Sequence, residues 1–156
     1  MIVPNPHLQQ IASYTPGATP DQIKAEYGLD HVEKLASNEN PRGSSAHALA
    51  AAHSAITQAH LYADGGMRLR QRLAEYHNVG IDAISVHNGS DAIIHQIMRV
   101  FLQPGDVALS SHGTFVSFHL AVKGVPAEPV LVPLTSEYRF NVRALADAVT
   151  DRTKVI

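Results

Sequence analysis

Cysteine and tryptophan are both absent from this chain of 156 residues. The absence of cysteine excludes a disulfide framework and every metal site that depends on thiolate ligands. Charged residues are also few, at 17%, compared with about 25% in an average soluble domain. Basic and acidic residues nearly balance, 12 against 14, so no nucleic-acid partner held by a basic face is expected.

Long apolar runs are missing as well, since none approaches the ~18 residues of a membrane span. The first residues, Met1-Ile-Val-Pro-Asn-Pro, lack the basic and apolar regions of a secretory signal. Apolar residues nevertheless make up 45% of the chain, enough for a core. These features predict a cytoplasmic domain with no membrane partner.

The pattern of predicted elements changes near residue 45. Before it, the only predicted helix has Thr19 as N-cap, Pro20 in the first turn and Gly28 as its end. After it, helices and apolar strands alternate, which is typical of a mostly parallel sheet with flanking helices, an α/β fold. We therefore expect residues 1–45 to form an arm or small-domain segment and residues 46–156 to form part of a larger domain.

The expected elements follow from apolar periodicity and turn residues. Two helices come first, an alanine-rich one that ends near Ala59, with Leu49 and Ile56 facing inward, and one over 67–77. The expected strands cover 84–87, 107–111, 130–134 and 154–156, with Pro133 indicating an edge strand or a strand end. The helices between them cover 92–102, 114–123 and 141–149.

The turn Gly89-Ser90-Asp91 joins a predicted strand to a predicted helix. Glycine allows close backbone approach, and free N–H groups at a helix start attract anions. The turn could therefore bind a phosphate group. It could also be an ordinary turn capped by Ser90 or Asp91, and by spacing alone that alternative is favoured.

Other candidate positions have similarly open interpretations. Phe115 follows a predicted strand and could stack on a planar ligand or pack in the core. Asn40, in a loop rich in turn formers, could contact a substrate or only solvent, and Tyr62 could present its hydroxyl or simply pack. The ten histidines do not form the i, i+4 pair of a zinc helix, and no metal site is expected.

Taken together and in order, the motifs resemble those of histidinol-phosphate aminotransferase, a pyridoxal-phosphate enzyme of the aspartate-aminotransferase fold. The runs that carry the resemblance are Ser13-Tyr14-Thr-Pro16-Gly17, Lys34-Leu-Ala-Ser-Asn-Glu-Asn40-Pro41-Arg-Gly43, Tyr62-Ala-Asp64-Gly65, Asn88-Gly-Ser-Asp91 and Gln103-Pro-Gly-Asp106. The resemblance extends over the whole chain but over only the front part of the family's length.

The resemblance implies a role for each matching position. Ser90 and Asp91 would bind the phosphate of pyridoxal phosphate through their backbone amides, and Phe115 would stack on its pyridine ring. Tyr62 would reach across a homodimer interface to the partner's phosphate. Tyr14 and Asn40 would lie near the small-molecule substrate. The implied reaction transfers an amino group between glutamate and imidazole acetol phosphate in histidine biosynthesis.

The family's later motifs, including the lysine that forms the Schiff base, do not occur in this sequence. The resemblance therefore predicts a truncated fragment without a catalytic lysine, inactive by itself. Two alternatives stay open: a related aminotransferase or pyridoxal-phosphate decarboxylase, and a non-catalytic remnant or interaction module.

Overall fold

The computed structural model describes residues 2–3, 5–11 and 17–156, with the side chain of Gln10 left out. The α-helices of these ranges are α1 (Pro20–Tyr27), α2 (Ala46–Ile56), α3 (Met67–His77), α4 (Gly89–Phe101), α5 (Val116–Lys123) and α6 (Val142–Asp147), and short 3-10 helices cover Leu8–Gln10 and Ile81–Ala83. The strands are β1 (Val107–Ser111), β2 (Glu128–Val132) and β3 (Thr153–Val155). From β1 onward, strands and helices alternate as predicted.

The chain divides into two compact units. One comprises Met1–Ala12 and Leu69–Ile156, and the other comprises Ser13–Arg68. The expected organisation into an arm (1–45) and part of a larger domain (46–156) stays a prediction.

Within the unit Ser13–Arg68, α1 begins and ends as its sequence predicts. Thr19 Oγ1 accepts a hydrogen bond from the backbone N–H of Gln22, and the Gln22 side chain accepts one from the Thr19 N–H. This reciprocal pair satisfies two N–H groups that the helix itself leaves free. The helix stops at Gly28, which adopts a left-handed conformation with φ of 65° and does so without the cost of a β-carbon.

The expectation that Leu49 and Ile56 of α2 face inward is wrong. Both side chains are at least half exposed. Helical periodicity shows which residues share a face, but it carries no information about which element covers that face.

In the other unit, β1 is the central strand of a three-stranded parallel sheet with the order β2-β1-β3. Val107 pairs with Glu128 at one end of the β1–β2 ladder, and Ser111 pairs with Val132 at the other. β3 pairs only with the first residues of β1, Val107 and Ala108, across an irregular register.

Helices cover both faces of this sheet. Alternate residues of β1 point to opposite sides, so each set packs against different helices. Ala108 packs in a cluster with Met98 of α4 and Phe118 of α5. Val107 and Leu109 pack on the other face, against Ala144 and Leu145. The predicted α/β architecture, a parallel sheet with flanking helices, is confirmed.

Three predicted strands differ from the structure, the smallest difference being that β3 begins and ends one residue earlier than predicted. Residues 84–87 are not a strand: Ile84 has extended dihedral angles, but in the described chain this segment has no paired strand. β2 begins and ends two residues earlier than predicted, so that Pro133 follows it, and β2 is the edge strand that Pro133 suggested. A strand requires a hydrogen-bonded neighbour, which local sequence does not specify.

Candidate functional site

The candidate site begins at the carboxyl end of β1, where parallel sheets commonly bind ligands. The strand pairing continues one residue past β1, since the His112 N–H donates to the Val132 carbonyl at 2.9 Å. The chain then turns through Gly113, with φ of 80°, and the Thr114 N–H donates back to the Ser111 carbonyl at 3.2 Å. This turn brings the chain to Phe115, the N-cap residue of α5.

Phe115 is not a core residue. Its side chain is 56% exposed, and it lines a groove of about 280 Å³ with Ile94 of α4 and Thr114. The groove also includes Ser110, the penultimate residue of β1. An aromatic ring in this position is available to stack on a planar ligand.

The second part of the candidate site is the start of α4. Gly89 has φ of 81°, a conformation that other residues rarely adopt, and its N–H donates to the His87 carbonyl at 2.9 Å. Ser90 and Asp91 follow in the first helical turn, where N–H groups have no acceptor inside the helix. The Asn88 side chain does not cap them. The N–H groups and the positive end of the helix dipole together favour an anion here.

A side-chain hydrogen bond joins α4 to α5. The hydroxyl of Ser117 donates to Oδ1 of Asp91, and Ser117 itself is only 4% exposed. Ser117 lies in the first turn of α5, two residues after Phe115. The bond therefore brings the starts of α4 and α5 together at one place, and with them the two elements that carry Asp91 and Phe115.

The end of β1 contains a second buried serine. Ser111 is buried, and its Oγ has no hydrogen-bond partner among the residues that the structure describes. It lies on the face of β1 opposite to Ala108 and Ser110, because alternate residues of a strand point to opposite sides.

Two of the other predicted site residues, Asn40 and Tyr62, belong to the unit Ser13–Arg68. Tyr62 is fully exposed. Asn40 closes its own turn: its side-chain amide donates to the Gly43 carbonyl at 2.8 Å and accepts from the Arg42 N–H at 3.1 Å. Tyr14 lies outside the described residues. The role predicted for each of these three residues remains a proposal.

Two lysines share a unit with the candidate site, and neither of them lines the groove beside Phe115. Lys123 is the last residue of α5, at the opposite end of that helix from Phe115. Lys154 is in β3, which pairs with Val107 and Ala108 at the opposite end of β1 from Ser111. The Lys154 ammonium donates to the Asp151 carbonyl at 3.0 Å.

Sequence reasoning missed Ser117. A signal for it existed, because Ser117 lies among apolar residues on the buried side of α5, with Phe118, Ala121 and Val122. A hydroxyl on the buried side of a helix requires a hydrogen-bond partner. The sequence alone did not indicate that the partner is Asp91.

In the described ranges, no group of three or more histidine, aspartate or glutamate side chains could hold a metal ion. No helix of those ranges is both long and apolar enough to cross a membrane.

The fold and the site define an α/β protein with a candidate anion site at the carboxyl edge of a parallel sheet. Residues 30–156 match the model of the family described as aminotransferase class I and II. The chain therefore belongs to this family.

Relatives in this family agree with the resemblance found in the motifs. The chain is 37% identical over 97% of its length to histidinol-phosphate aminotransferase 1 of Idiomarina loihiensis, and covers 41% of that protein. It is 38% identical over 96% of its length to histidinol-phosphate aminotransferase of Bacillus subtilis, and covers 42%. The chain thus spans about two-fifths of the length of these curated relatives.

Solved structures have the same fold. The crystal structure of histidinol-phosphate aminotransferase from Sinorhizobium meliloti in complex with pyridoxal-5'-phosphate matches 94% of this chain and 39% of that one, with a TM-score of 0.78 and 25% identity. An Escherichia coli aminotransferase matches 97% of this chain and 41% of that one, with a TM-score of 0.74. At 20% identity, the second match indicates the fold alone.

Proposed function

We propose that this chain binds pyridoxal phosphate and takes part in the amino transfer of histidine biosynthesis. In this reaction, the amino group of glutamate passes to imidazole acetol phosphate, which gives histidinol phosphate and 2-oxoglutarate, and the reaction is reversible. The observation that carries the proposal is the 37% identity to a histidinol-phosphate aminotransferase over 97% of the chain. Because the chain covers 41% of that relative, the activity of a whole enzyme is itself part of the proposal.

The phosphate group of the cofactor would bind at the start of α4. Ser90 and Asp91 lie in a first helical turn whose N–H groups have no intrahelical acceptor, and the Asn88 side chain leaves them uncapped. The positive φ of Gly89 allows the backbone to approach a bulky anion closely. These features fit a phosphate group.

The pyridine ring of the cofactor would stack on Phe115. More than half of this side chain is exposed, and the Asp91–Ser117 hydrogen bond ties the helix start that follows Phe115 to the proposed phosphate site. Bound pyridoxal phosphate supplies the electron-withdrawing ring that amino transfer requires. The chain's own residues would bind and orient it.

The proposal includes three further residues and a partner. Tyr62 would contact the phosphate in the second subunit of a homodimer, and Asn40 and Tyr14 would lie near the substrate. The full exposure of Tyr62 is compatible with a contact across an interface. The homodimer and a cytoplasmic location are supported by the family resemblance alone.

Equilibrium dialysis of the chain with pyridoxal phosphate and with pyridoxal tests the proposal, because the two ligands differ only in the phosphate group. We expect tighter binding of pyridoxal phosphate. We also expect Phe115→Ala to weaken the binding of both ligands, since both contain the ring. Val116→Ala is the matched control, because Val116 is the exposed next residue. Equal affinity of the wild-type chain for the two ligands would contradict the phosphate site.

A further inference from the structure

Ser111 and Ser117 are the two buried polar residues of the described chain, and they differ in one respect. Ser111 Oγ has no hydrogen-bond partner in the described ranges, whereas Ser117 Oγ donates to the Asp91 carboxylate. Ser117 belongs to α5 and Asp91 to α4. The orientation of the Asp91 carboxylate is therefore determined by a helix other than its own.

This orientation matters because of where Asp91 lies. It is the third residue of α4, a position from which a carboxylate can fold back and accept hydrogen bonds from the N–H groups at the start of its own helix. A carboxylate in that conformation would occupy the N–H groups and place a negative charge where a phosphate would bind. The two anions would repel each other.

We propose that Ser117 is a positioning residue that holds the Asp91 carboxylate towards α5 and so keeps the N–H groups at the start of α4 available for a phosphate group. This proposal adds a role for Ser117 at the proposed phosphate site, and it rests on the proposed function. Ser117 acts through Asp91, because its hydroxyl is buried and already donates to Asp91 Oδ1.

The test compares the affinities for pyridoxal phosphate and pyridoxal in Ser117→Ala. Loss of the hydroxyl should weaken the binding of pyridoxal phosphate roughly tenfold, the size of effect expected for one hydrogen bond to a charged group. The affinity for pyridoxal should not change, because pyridoxal has no phosphate group. Ser111→Ala is the matched control: it removes the other buried serine hydroxyl and should leave both affinities unchanged.

A second substitution tests whether Ser117 acts through Asp91. Asp91→Ala removes the carboxylate but keeps the backbone N–H group. In that background, Ser117→Ala should cause no further loss of affinity for pyridoxal phosphate, because no carboxylate remains to be positioned. An equal loss in both backgrounds would overturn the proposal, since additive effects indicate that two residues act independently.

Ser117→Thr and Ser117→Val provide a test that does not depend on whether Ser117→Ala folds. The two side chains have nearly the same shape, and only threonine keeps a hydroxyl. Far-ultraviolet circular dichroism confirms that each variant is folded. We expect the threonine variant to prefer pyridoxal phosphate over pyridoxal as the wild type does and the valine variant to lose that preference.

The outcomes separate this proposal from the proposed function. If the wild-type chain binds both ligands equally, the proposed function fails, and the role of Ser117 fails with it. If the wild type prefers pyridoxal phosphate and the threonine and valine variants keep that preference equally, only the role of Ser117 is overturned.

Discussion

Arg70 of α3 binds the backbone that precedes α4. Its Nε donates to the Ile84 carbonyl at 2.8 Å, and its Nη2 donates to the Ile81 carbonyl at 3.0 Å. Residues 84–87, predicted as a strand, have no strand neighbour in the described chain, and Arg70 satisfies one carbonyl that a sheet would otherwise pair. The guanidinium thereby fixes the path of the chain towards Gly89 and the candidate phosphate site.

We expect Arg70→Ala to lower the free energy of unfolding by about 1–3 kcal/mol, because it removes two charge-assisted hydrogen bonds to partly buried carbonyls. Urea unfolding followed by circular dichroism at low protein concentration measures the change. Arg72→Ala is the control, since the Arg72–Glu75 ion pair is exposed and should contribute at most about 1 kcal/mol. Equal effects of the two substitutions would show that the Arg70 contacts do not stabilise the chain.

Asp64, in the turn that follows Tyr62, has a pKa below its ordinary value. The main cause is the hydrogen bond from the Arg68 side chain, at 2.9 Å, followed by the bond from the Gly66 N–H. Both bonds favour the ionised carboxylate in the folded state. Their contribution to stability is therefore fully present above the unfolded pKa of about 3.9 and is lost as the pH falls through the lower folded value.

We expect Arg68→Ala to raise the Asp64 pKa towards that of an ordinary aspartate. A nuclear magnetic resonance titration of the Asp64 side chain measures the shift. Arg72→Ala serves as the control, because Arg72 pairs with Glu75 and should leave the Asp64 titration unchanged. An Asp64 pKa that is the same in wild type and Arg68→Ala would contradict the assigned cause.

We expect the chain to self-associate as its concentration rises. Val100 and Phe101 of α4 are 60% and 62% exposed, and with Ile93 and Ile97 they line an apolar groove of about 270 Å³. Covering such side chains is worth roughly 25 cal/mol per Å². In sedimentation velocity, the variant with both Val100→Gln and Phe101→Gln should shift towards monomer.

Val142→Gln is the control for this experiment, because Val142 is exposed at the start of α6, outside the groove. It should not change the association. A sharp, reversible melting transition of a monomeric wild-type chain, independent of concentration, would refute the expectation.

We expect the 156-residue chain to show no amino-transfer turnover and no covalently held cofactor. The reaction requires a lysine that bonds the cofactor and moves a proton, and neither Lys123 nor Lys154 lines the groove of the candidate site. The test is the visible spectrum after incubation with pyridoxal phosphate and dialysis, together with an assay for glutamate-dependent turnover. A retained visible band with turnover would contradict the prediction.

Local signals predicted the elements that depend only on neighbouring residues. Helix α1 begins after Thr19 and ends at Gly28 as expected. Asn141 caps α6, because its side chain accepts a hydrogen bond from the Ala144 N–H at 3.0 Å. The bounds of β1 also agree with the prediction, because its short apolar start, Val107-Ala-Leu109, followed by two small residues between turn formers, is typical of a buried parallel strand. Each of these features has its cause within a few residues.

Non-local features were predicted less well. Residues 84–87 have a strand-like sequence, but they pair with no strand of the described chain. Leu49 and Ile56 are spaced as one helical face, yet that face is exposed. In both cases, local sequence predicts a conformation or a face, and only contacts with distant residues decide whether it is paired or buried.

The sequence by itself determined the family of this protein, through the order of its short motifs, and the starts and ends of several helices, through caps and turns. Tertiary structure alone decided that the buried hydroxyl of Ser117 binds the carboxylate of Asp91, 26 residues away along the chain. The physical reason is that a side-chain hydrogen bond between two helices depends on how those helices pack. That packing is set by the shared core beneath them, where Met98 of α4 and Phe118 of α5 meet on β1.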